Sequence, residues 1–325
     1  MKAKDLLEQI RNGRAAASLS DSDLEAAIEQ LNAAYRAGAP VVSDMCYDDE
    51  FMAALSSRLP GHRLLQRVEP EPEEVFGGRK VRHAQPLLST EKAYSRDEVE
   101  RFLKRLLEAA RETGVPPTEL MLRATIKLDG LAGSYDGSVL ATRGDGISGF
   151  DITRCLSRGV RIFGNGQGTG ELVVSMAYFE ESLSDQFEHP RNFMVGAVSA
   201  DDLSPIAAEA LSAGAAHFVL YGSLPSWSGT PDEFLANMDG IVQRLKAESA
   251  DYANDGLILE TMNPVLRANL GATSHHYRSM IALKERGETA TTTVVGITWQ
   301  TGRTGRVTPV MNVTPVHLSG ATISN

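Results

Sequence analysis

"TIKLDGLAGSYDGSVLATRGDG", Thr125–Gly146, decides how the rest of this 325-residue chain is read. Short apolar runs alternate with Gly and Asp turns, the texture of strands joined by tight connections. Its one lysine, Lys127, stands two residues before Asp129. Residues i and i+2 of a strand face the same side, so amine and carboxylate can share one pocket. A lysine amine attacks only in its neutral form, which burial or neighbouring cations favour and a nearby carboxylate opposes. Taken alone, Lys-x-Asp-Gly reads first as a solvated surface turn.

Further runs of the same kind lie on either side: "LMLRATIKL" (120–128), "GELVVSMAYF" (170–179), "HFVLYGS" (217–223) and "DGLILET" (255–261). They predict an antiparallel-rich α+β domain, not a doubly wound one, in which strands and helices would alternate. Before them the texture is helical. Ser22 with Glu25 forms a capping box ahead of Leu24, Ile28, Leu31 and Tyr35, and Gly38 and Pro40 stop that helix. Ser43 or Asp44 caps a second helical segment. The Pro-, Gly- and charge-rich stretch 60–86 reads as a loop holding a boundary, and Ser95 with Glu98 opens a helix with Val99, Phe102, Leu106 and Ala110 inside. From Thr291 onward three strands and no helix are expected, the opening of a small barrel that stops before closure. The chain thus divides at 1–68, 69–290 and 291–325.

Composition narrows the classes. With 42% hydrophobic residues the chain can bury a large core, and a formal charge of −10 argues against a generic coat for nucleic acid, though not against a local basic groove. Two distant cysteines, Cys46 and Cys155, cannot build a four-cysteine zinc site. Neither a signal-peptide core nor a run of 18 apolar residues is present, so a cytoplasmic protein without a membrane partner is expected. Adjacent His275 and His276 read as surface, and "GNGQGTG" (164–170) as a loop between strands that does not fit a dinucleotide fingerprint.

Lys127-x-Asp-Gly keeps ordered company: "TRGDGISGFDIT" (142–153), "GELVV" from Gly170, "HPRN" from His189, "DGLIL" from Asp255 and "IALKE" from Ile281. In this order and spacing they resemble the nucleotidyltransferase motifs of NAD-dependent DNA ligases. "YRAGAPVVSDMCYDDEF" (35–51) looks like that family's helical subdomain for the nicotinamide mononucleotide half of NAD, "PLLSTEKAYS" (86–95) like the lead into the adenylation domain, and "WQTGRTGRVTPVMNVTPV" (299–316) like the start of its OB-fold. The resemblance implies a small helical subdomain, a nucleotidyltransferase domain of ATP-grasp-like antiparallel sheets, and the first strands of an incomplete OB-fold. Lys127 matches the lysine that attacks the α-phosphate of NAD, giving lysyl-AMP and free nicotinamide mononucleotide, after which AMP passes to the 5′-phosphate of nicked double-stranded DNA. Asp129 and Glu171 match acidic residues of the nucleotide and Mg²⁺ site, and Lys284 a lysine at the α-phosphate. Ser89, Thr125, Gly130, Arg143, Arg191 and Asp255 fall in nucleotide-binding motifs, and Tyr35, Asp44, Tyr47 and Asp48 match nicotinamide mononucleotide contacts. On their own, Glu171 reads as an exposed strand carboxylate, Arg191 as a surface charge and Tyr47 as core.

The chain departs from the family pattern at several places. Thr125 stands where a glutamate reads the adenine edge, Phe150 replaces another glutamate, Ser199 a second arginine, and Glu260 the lysine ending motif IV. An arginine is Ala247, with Arg244 and Lys246 near, and the first of two aromatics is Ala34 beside Tyr35. The resemblance implies a divergent member, phage-like and acting in the cytosol of a bacterial host during replication or repair. Against that family pattern two expectations stand side by side: a fragment of a longer ligase, or one subunit of a split ligase whose partner carries the remaining OB, zinc and helix-hairpin-helix parts. A degraded ligase-like scaffold or DNA-interaction subunit, and a ligase using ATP, are the competing readings.

Overall fold

The computed structural model of the chain describes residues 3–11, 13–43, 46–66, 73–284, 290–301, 307–318 and 321–324. They form two compact units, Met1–Gln66 with Arg286–Asn325, and Arg67–Glu285.

In the first unit, α1 (Ala3–Arg11), α2 (Asp21–Arg36) and α3 (Ala53–Arg58) enclose a core of Leu24, Ile28, Leu31, Phe51 and Leu55. Ser20, two residues before the expected Ser22, caps α2, its hydroxyl accepting from the Asp23 N–H at 3.1 Å. The shift follows from chemistry: the cap must stand outside the first helical residue, and Asp21 and Asp23 then lie in the first turn against the positive end of the helix. Ser43 does cap the next segment, accepting from the Cys46 N–H at 3.2 Å. That segment winds wide over Tyr47–Met52 before tightening into α3.

The second unit holds two five-stranded sheets. Its strands in chain order are β1 (Lys80–Arg82), β2 (Ser89–Ala93), β3 (Leu122–Leu128), β4 (Leu131–Tyr135), β5 (Leu140–Thr142), β6 (Ser148–Phe150), β7 (Arg161–Phe163), β8 (Gly168–Val174), β9 (Ala216–Leu220), β10 (Ser226–Gly229), β11 (Asn254–Thr261) and β12 (His276–Lys284). One sheet runs β10-β3-β11-β12-β2 and the other β5-β4-β8-β9-β7, while β1 pairs with β6. The antiparallel expectation holds except at one edge of each sheet, where β12–β2 and β7–β9 run parallel. β1 is a strand inside the stretch read as loop, because Lys80–Arg82 finds a partner in β6. The "GNGQGTG" segment joins β7 to β8 and its last three residues enter β8.

Helices α4 (Arg96–Thr113), α5 (Pro190–Ser199), α6 (Pro205–Ser212), α7 (Pro231–Ala236), α8 (Met238–Glu248) and α9 (Pro264–Leu270) cover the sheets. The expected cap opens α4: Ser95 accepts from the Glu98 N–H, while the Glu98 carboxylate accepts at 2.6 Å from the N–H of Tyr94, one residue before the cap. Its inner face, Val99, Phe102 and Leu106, packs with Phe234 of α7, Leu245 of α8 and Leu266 of α9 on Leu122 and Leu257. Each such side chain contributes about 1.5–3 kcal/mol by leaving water. A second core joins β8 and β9 to α5 and α6 through Leu172, Phe218, Phe193 and Leu211. Between the sheets, Ile126 and Leu128 of β3 meet Val173 of β8 and Val219 of β9.

Near the C-terminus four strands are described, not three: β13 (Val294–Thr301) with β14 (Val307–Val313), and β15 (Val316–Leu318) with β16 (Ala321–Ile323). "VMNVTPVHL" breaks at Thr314 and Pro315, which separate β14 from β15.

Candidate active site

β3 and β11 pair antiparallel with Gly256 opposite Lys127, and the register slips between Asn254 and Gly256. Asp255 is the extra residue of that bulge, a device that re-aims one side chain out of the ladder. The bulge needs glycine next to it: Gly256 has φ +150°, and a Cβ there would stand 2.2 Å from the Leu283 carbonyl oxygen. The re-aimed carboxylate reaches two lysines. Lys127 Nζ lies 2.9 Å from Asp255 Oδ1 and 3.1 Å from Oδ2, and Lys284 Nζ, from β12, lies 2.9 Å from Oδ2.

The electrostatics follow. Burial pulls the Lys127 amine down and Lys284 adds to that, but the Asp255 and Asp129 carboxylates outweigh them, leaving its pKa above the usual lysine value. Burial alone would raise Asp255, yet the two ammonium groups hold it below the usual carboxylate range. Lys127 therefore rests charged, opposite to what nucleophilic attack requires.

The turn after β3 supplies the next groups. Gly130 permits it to pass β8 closely: a Cβ would meet the Leu172 carbonyl oxygen at 2.1 Å. Arg191, the second residue of α5, donates from Nη1 to the Gly130 carbonyl, and its guanidinium stands 3.8 Å from Asp129 Oδ1. His189 caps α5 by accepting the Arg191 N–H on Nδ1 at 3.2 Å, which leaves the ring proton on Nε2, 3.4 Å from Asp129 Oδ2. Glu171 of β8 is buried, not exposed, and accepts from the Tyr221 hydroxyl. Burial pushes Glu171 up against the pull of Tyr221, Lys127 and Arg191, and burial with the Glu171 charge drives the Tyr221 hydroxyl far above its ordinary range.

Arg143 is buried, its Nη1 donating to Ser89 Oγ at 3.3 Å. Its carbonyl faces His83 Nε2 at 2.9 Å; that nitrogen carries the proton, and Nδ1 accepts from the Ser134 hydroxyl at 2.9 Å. Thr125 is buried on β3 between Ser226 and Ile258.

Among the expected residues of the second unit, Lys127, Asp129, Gly130, Glu171, Arg191, Asp255 and Lys284 are linked by these contacts or by the charges acting on Lys127 and Glu171. Tyr221, His189 and His83 were not singled out as site residues. Tyr221 and His83 carry no local signal, since one ends an apolar run and the other sits in a charged loop; His189 lies in the quoted "HPRN". In the first unit, Tyr35 sits at the end of α2 with the Arg36 guanidinium 5.8 Å from its ring centre, and Tyr47 packs on that unit's core beside Asp48. Asp44 lies outside the described residues.

The departures are accommodated one by one. Phe150 joins the core and stacks on Phe76 at 6.0 Å. The Ser199 carbonyl accepts from Arg154 Nη2 at 2.7 Å. Glu260 pairs with Arg267 at 2.6 Å and with Arg123 at 3.6 Å, its directly opposite neighbour on β3. Arg244 reaches the Ser226 carbonyl at 3.2 Å. His275 and His276 are half-buried, not surface, with Nε2 of the first 3.0 Å from Nδ1 of the second. Among the described residues no cluster of three His, Cys, Asp or Glu side chains is spaced to hold a metal ion, and no helix is long and apolar enough to cross a membrane.

Residues 77–162 match the family described as the NAD-dependent DNA ligase adenylation domain. Over 94% of its length the chain is 48% identical to a DNA ligase of Desulfatibacillum aliphaticivorans, of which it covers 48%. It is 41% identical over 94% of its length to a DNA ligase of Desulfotalea psychrophila, covering 45% of that protein, and 38% over 94% to one of Shewanella baltica, covering 47%. The chain thus spans about half the length of the curated relatives it matches. Lys127 and Asp129, at the end of β3, lie within the stretch that matches this family, and over nearly its whole length the chain is similar to DNA ligases.

Proposed function

We propose that this chain is the adenylating part of a NAD-dependent DNA ligase, with Lys127 as the nucleophile. The observation that carries the reading is the Lys127–Asp255–Lys284 triad at the bulge of β11. Asp255 holds Lys127 in place and charged at rest; an α-phosphate arriving beside Lys284 supplies that cation with a second anion and loosens its claim on Asp255. Lys127 then sheds a proton through Asp255 to solvent and its nitrogen attacks phosphorus. The P–N bond forms as the P–O bond to nicotinamide mononucleotide breaks, and Lys284 with Arg191 stabilises the charge gathering on the phosphoryl oxygens. AMP would next pass from Lys127 to the 5′-phosphate of a nicked duplex. The division at 1–68, 69–290 and 291–325 belongs to this proposal, with Tyr35, Tyr47 and Asp48 assigned to the nicotinamide mononucleotide half and the C-terminal strands to an OB-fold.

Mg²⁺ is usually held by one or two carboxylates together with substrate phosphates. Asp129 fits that role, since its oxygens stand 3.4 and 3.8 Å from His189 and Arg191 and are open to a harder partner. Glu171 fits it less well, because one of its oxygens is bonded to Tyr221 and burial favours its neutral form. When bound, the ion would neutralise phosphate charge.

The test is incubation with Mg²⁺ and either NAD or ATP, followed by intact-mass measurement. An increase of one AMP with NAD, absent in Lys127→Ala, is expected. Gain from ATP alone would overturn the choice of nucleotide, and no gain from either would leave the scaffold reading standing.

A further inference from the structure

We infer that Tyr252, bonded to His217, is a positioning residue for Asp129 and Asp255, the two carboxylates that act on Lys127; this deepens the function proposed above and rests on it. Residues 251–255 lead into β11 by crossing from one sheet to the other. On the side of β8, the Met176 N–H donates to the Asp251 carbonyl at 2.9 Å, and Tyr252 bridges Ser175. On the side of β3, the Asp129 N–H donates to the Ala253 carbonyl at 2.9 Å, and Asn254 stands opposite Leu128. Next comes Asp255, which leaves the ladder for Lys127 and Lys284. A sideways shift of this short segment would therefore move Asp129 and Asp255 together.

The Tyr252 side chain fixes that segment. Its ring packs against the cluster of Ile126, Leu128, Val173 and Val219, and its hydroxyl lies 2.8 Å from Nδ1 of His217 on β9. The other ring nitrogen, Nε2, stands 2.9 Å from the Gly214 carbonyl, which can only accept. Nε2 therefore carries the proton, and Nδ1 is left to accept from the tyrosine O–H. Burial, with Arg161 adding to it, pulls His217 below its usual pKa against the Gly214 carbonyl and Asp251, so the ring stays neutral. Burial, with Asp251 adding to it, pushes the Tyr252 hydroxyl up to about 12, so it keeps its proton. Each partner is held in the one form that makes this bond. From β7, the Phe163 ring centre lies 4.3 Å from that of the imidazole, while the Tyr252 ring meets it edge-on at 5.7 Å. The pair acts on the site through the main chain of residues 252–255, and that is where its loss should show.

The experiment follows adduct formation from NAD by the full chain, together with amide hydrogen exchange at Asp129 by NMR. Tyr252→Phe keeps the ring and deletes the donor, and His217→Leu deletes the acceptor. Each is expected to slow adduct formation about tenfold at saturating NAD, the worth of one hydrogen bond, with the half-saturating NAD concentration unchanged. The double variant should be no slower than either single one, because both remove the same bond. His217→Asn, which offers an accepting oxygen close to the place of Nδ1, should recover most of the rate. The Asp129 amide should exchange about tenfold faster in Tyr252→Phe while the amides of α4 keep their rates, a local loosening that general destabilisation would not give. Far-UV circular dichroism establishes that each variant is folded. Unchanged rate and exchange in folded Tyr252→Phe, single effects that multiply in the double variant, or faster exchange shared equally by α4 overturns the assignment. Should the unsubstituted chain form no adduct with NAD while the Asp129 amide still responds to Tyr252→Phe, the reaction reading fails and the positioning reading stands.

Discussion

The Lys127 ammonium and the Asp255 carboxylate face each other at 2.9 Å across β3 and β11, and Asp255 holds Lys284 at the same distance. One carboxylate therefore keeps two cations together at the site proposed for phosphate chemistry.

Replacing Asp255 with Asn removes a carboxylate bonded to both lysines and leaves their charges opposed. The expected loss is about 3 kcal/mol of folding stability, as for a mostly buried pair deprived of one partner. Urea denaturation measures it. The amine of Lys127 should fall in pKa at the same time, because Asp255 is what holds it above the usual lysine value. Adduct formation from NAD, which rises with pH while Lys127 is protonated, should then begin its rise at lower pH in Asp255→Asn. An identical profile would show that Asp255 does not control the proton.

Stability should be flat over a wide range and fall at both ends. Asp255 is depressed in the folded state, so its contribution is present above the unfolded carboxylate value and lost as pH falls below about 4. Lys127 is raised, so its contribution is complete below the unfolded lysine value and lost as pH climbs beyond about 10. Urea midpoints taken from pH 3 to 11 should show both losses in the unsubstituted chain and smaller ones in Asp255→Asn.

Gly130→Ala would place a methyl 2.1 Å from a backbone oxygen of β8, which cannot swing aside as a side chain could. The strands must separate, at a cost of about 3 kcal/mol, and the turn carrying Asp129 must move with them. Thermal melting and adduct yield should fall together.

Both thiols should resist alkylation in the folded chain. Burial pushes Cys46 and Cys155 up to about 12, and Glu50 beside Cys46 adds to the effect. Since the thiolate is the reactive form, iodoacetamide at pH 8 should label either cysteine far more slowly than in urea. Rapid native labelling of Cys46 would contradict this environment.

Much of the site was legible from residue order. Lys127, Asp129, Glu171, Arg191 and Lys284, set apart by their order along the chain, are brought into one neighbourhood by contacts or by the charges acting among them, and the strands of Lys127, Glu171 and Lys284 were legible from short apolar runs between turns. Helix ends were read less well: α2 is capped two residues earlier than expected, because Ser20 and Ser22 offer the same hydroxyl and only helix packing selects between them. The partners of Glu260 were not legible in the sequence, since Arg123 lies 137 positions away and Arg267 on a helix whose direction local sequence does not state.

The sequence by itself determined the strand-rich α+β class and pointed to the residues proposed as nucleophile and as its acidic and basic partners, because those depend on residue type and local period. The tertiary structure alone decided that Asp255 leaves its ladder to bind two lysines, that Tyr221 holds Glu171, and that Glu260 sits between two arginines. Each of those is a contact between strands or helices distant along the chain. Burial sets its electrostatic weight, and burial is settled only when the sheets close on one another.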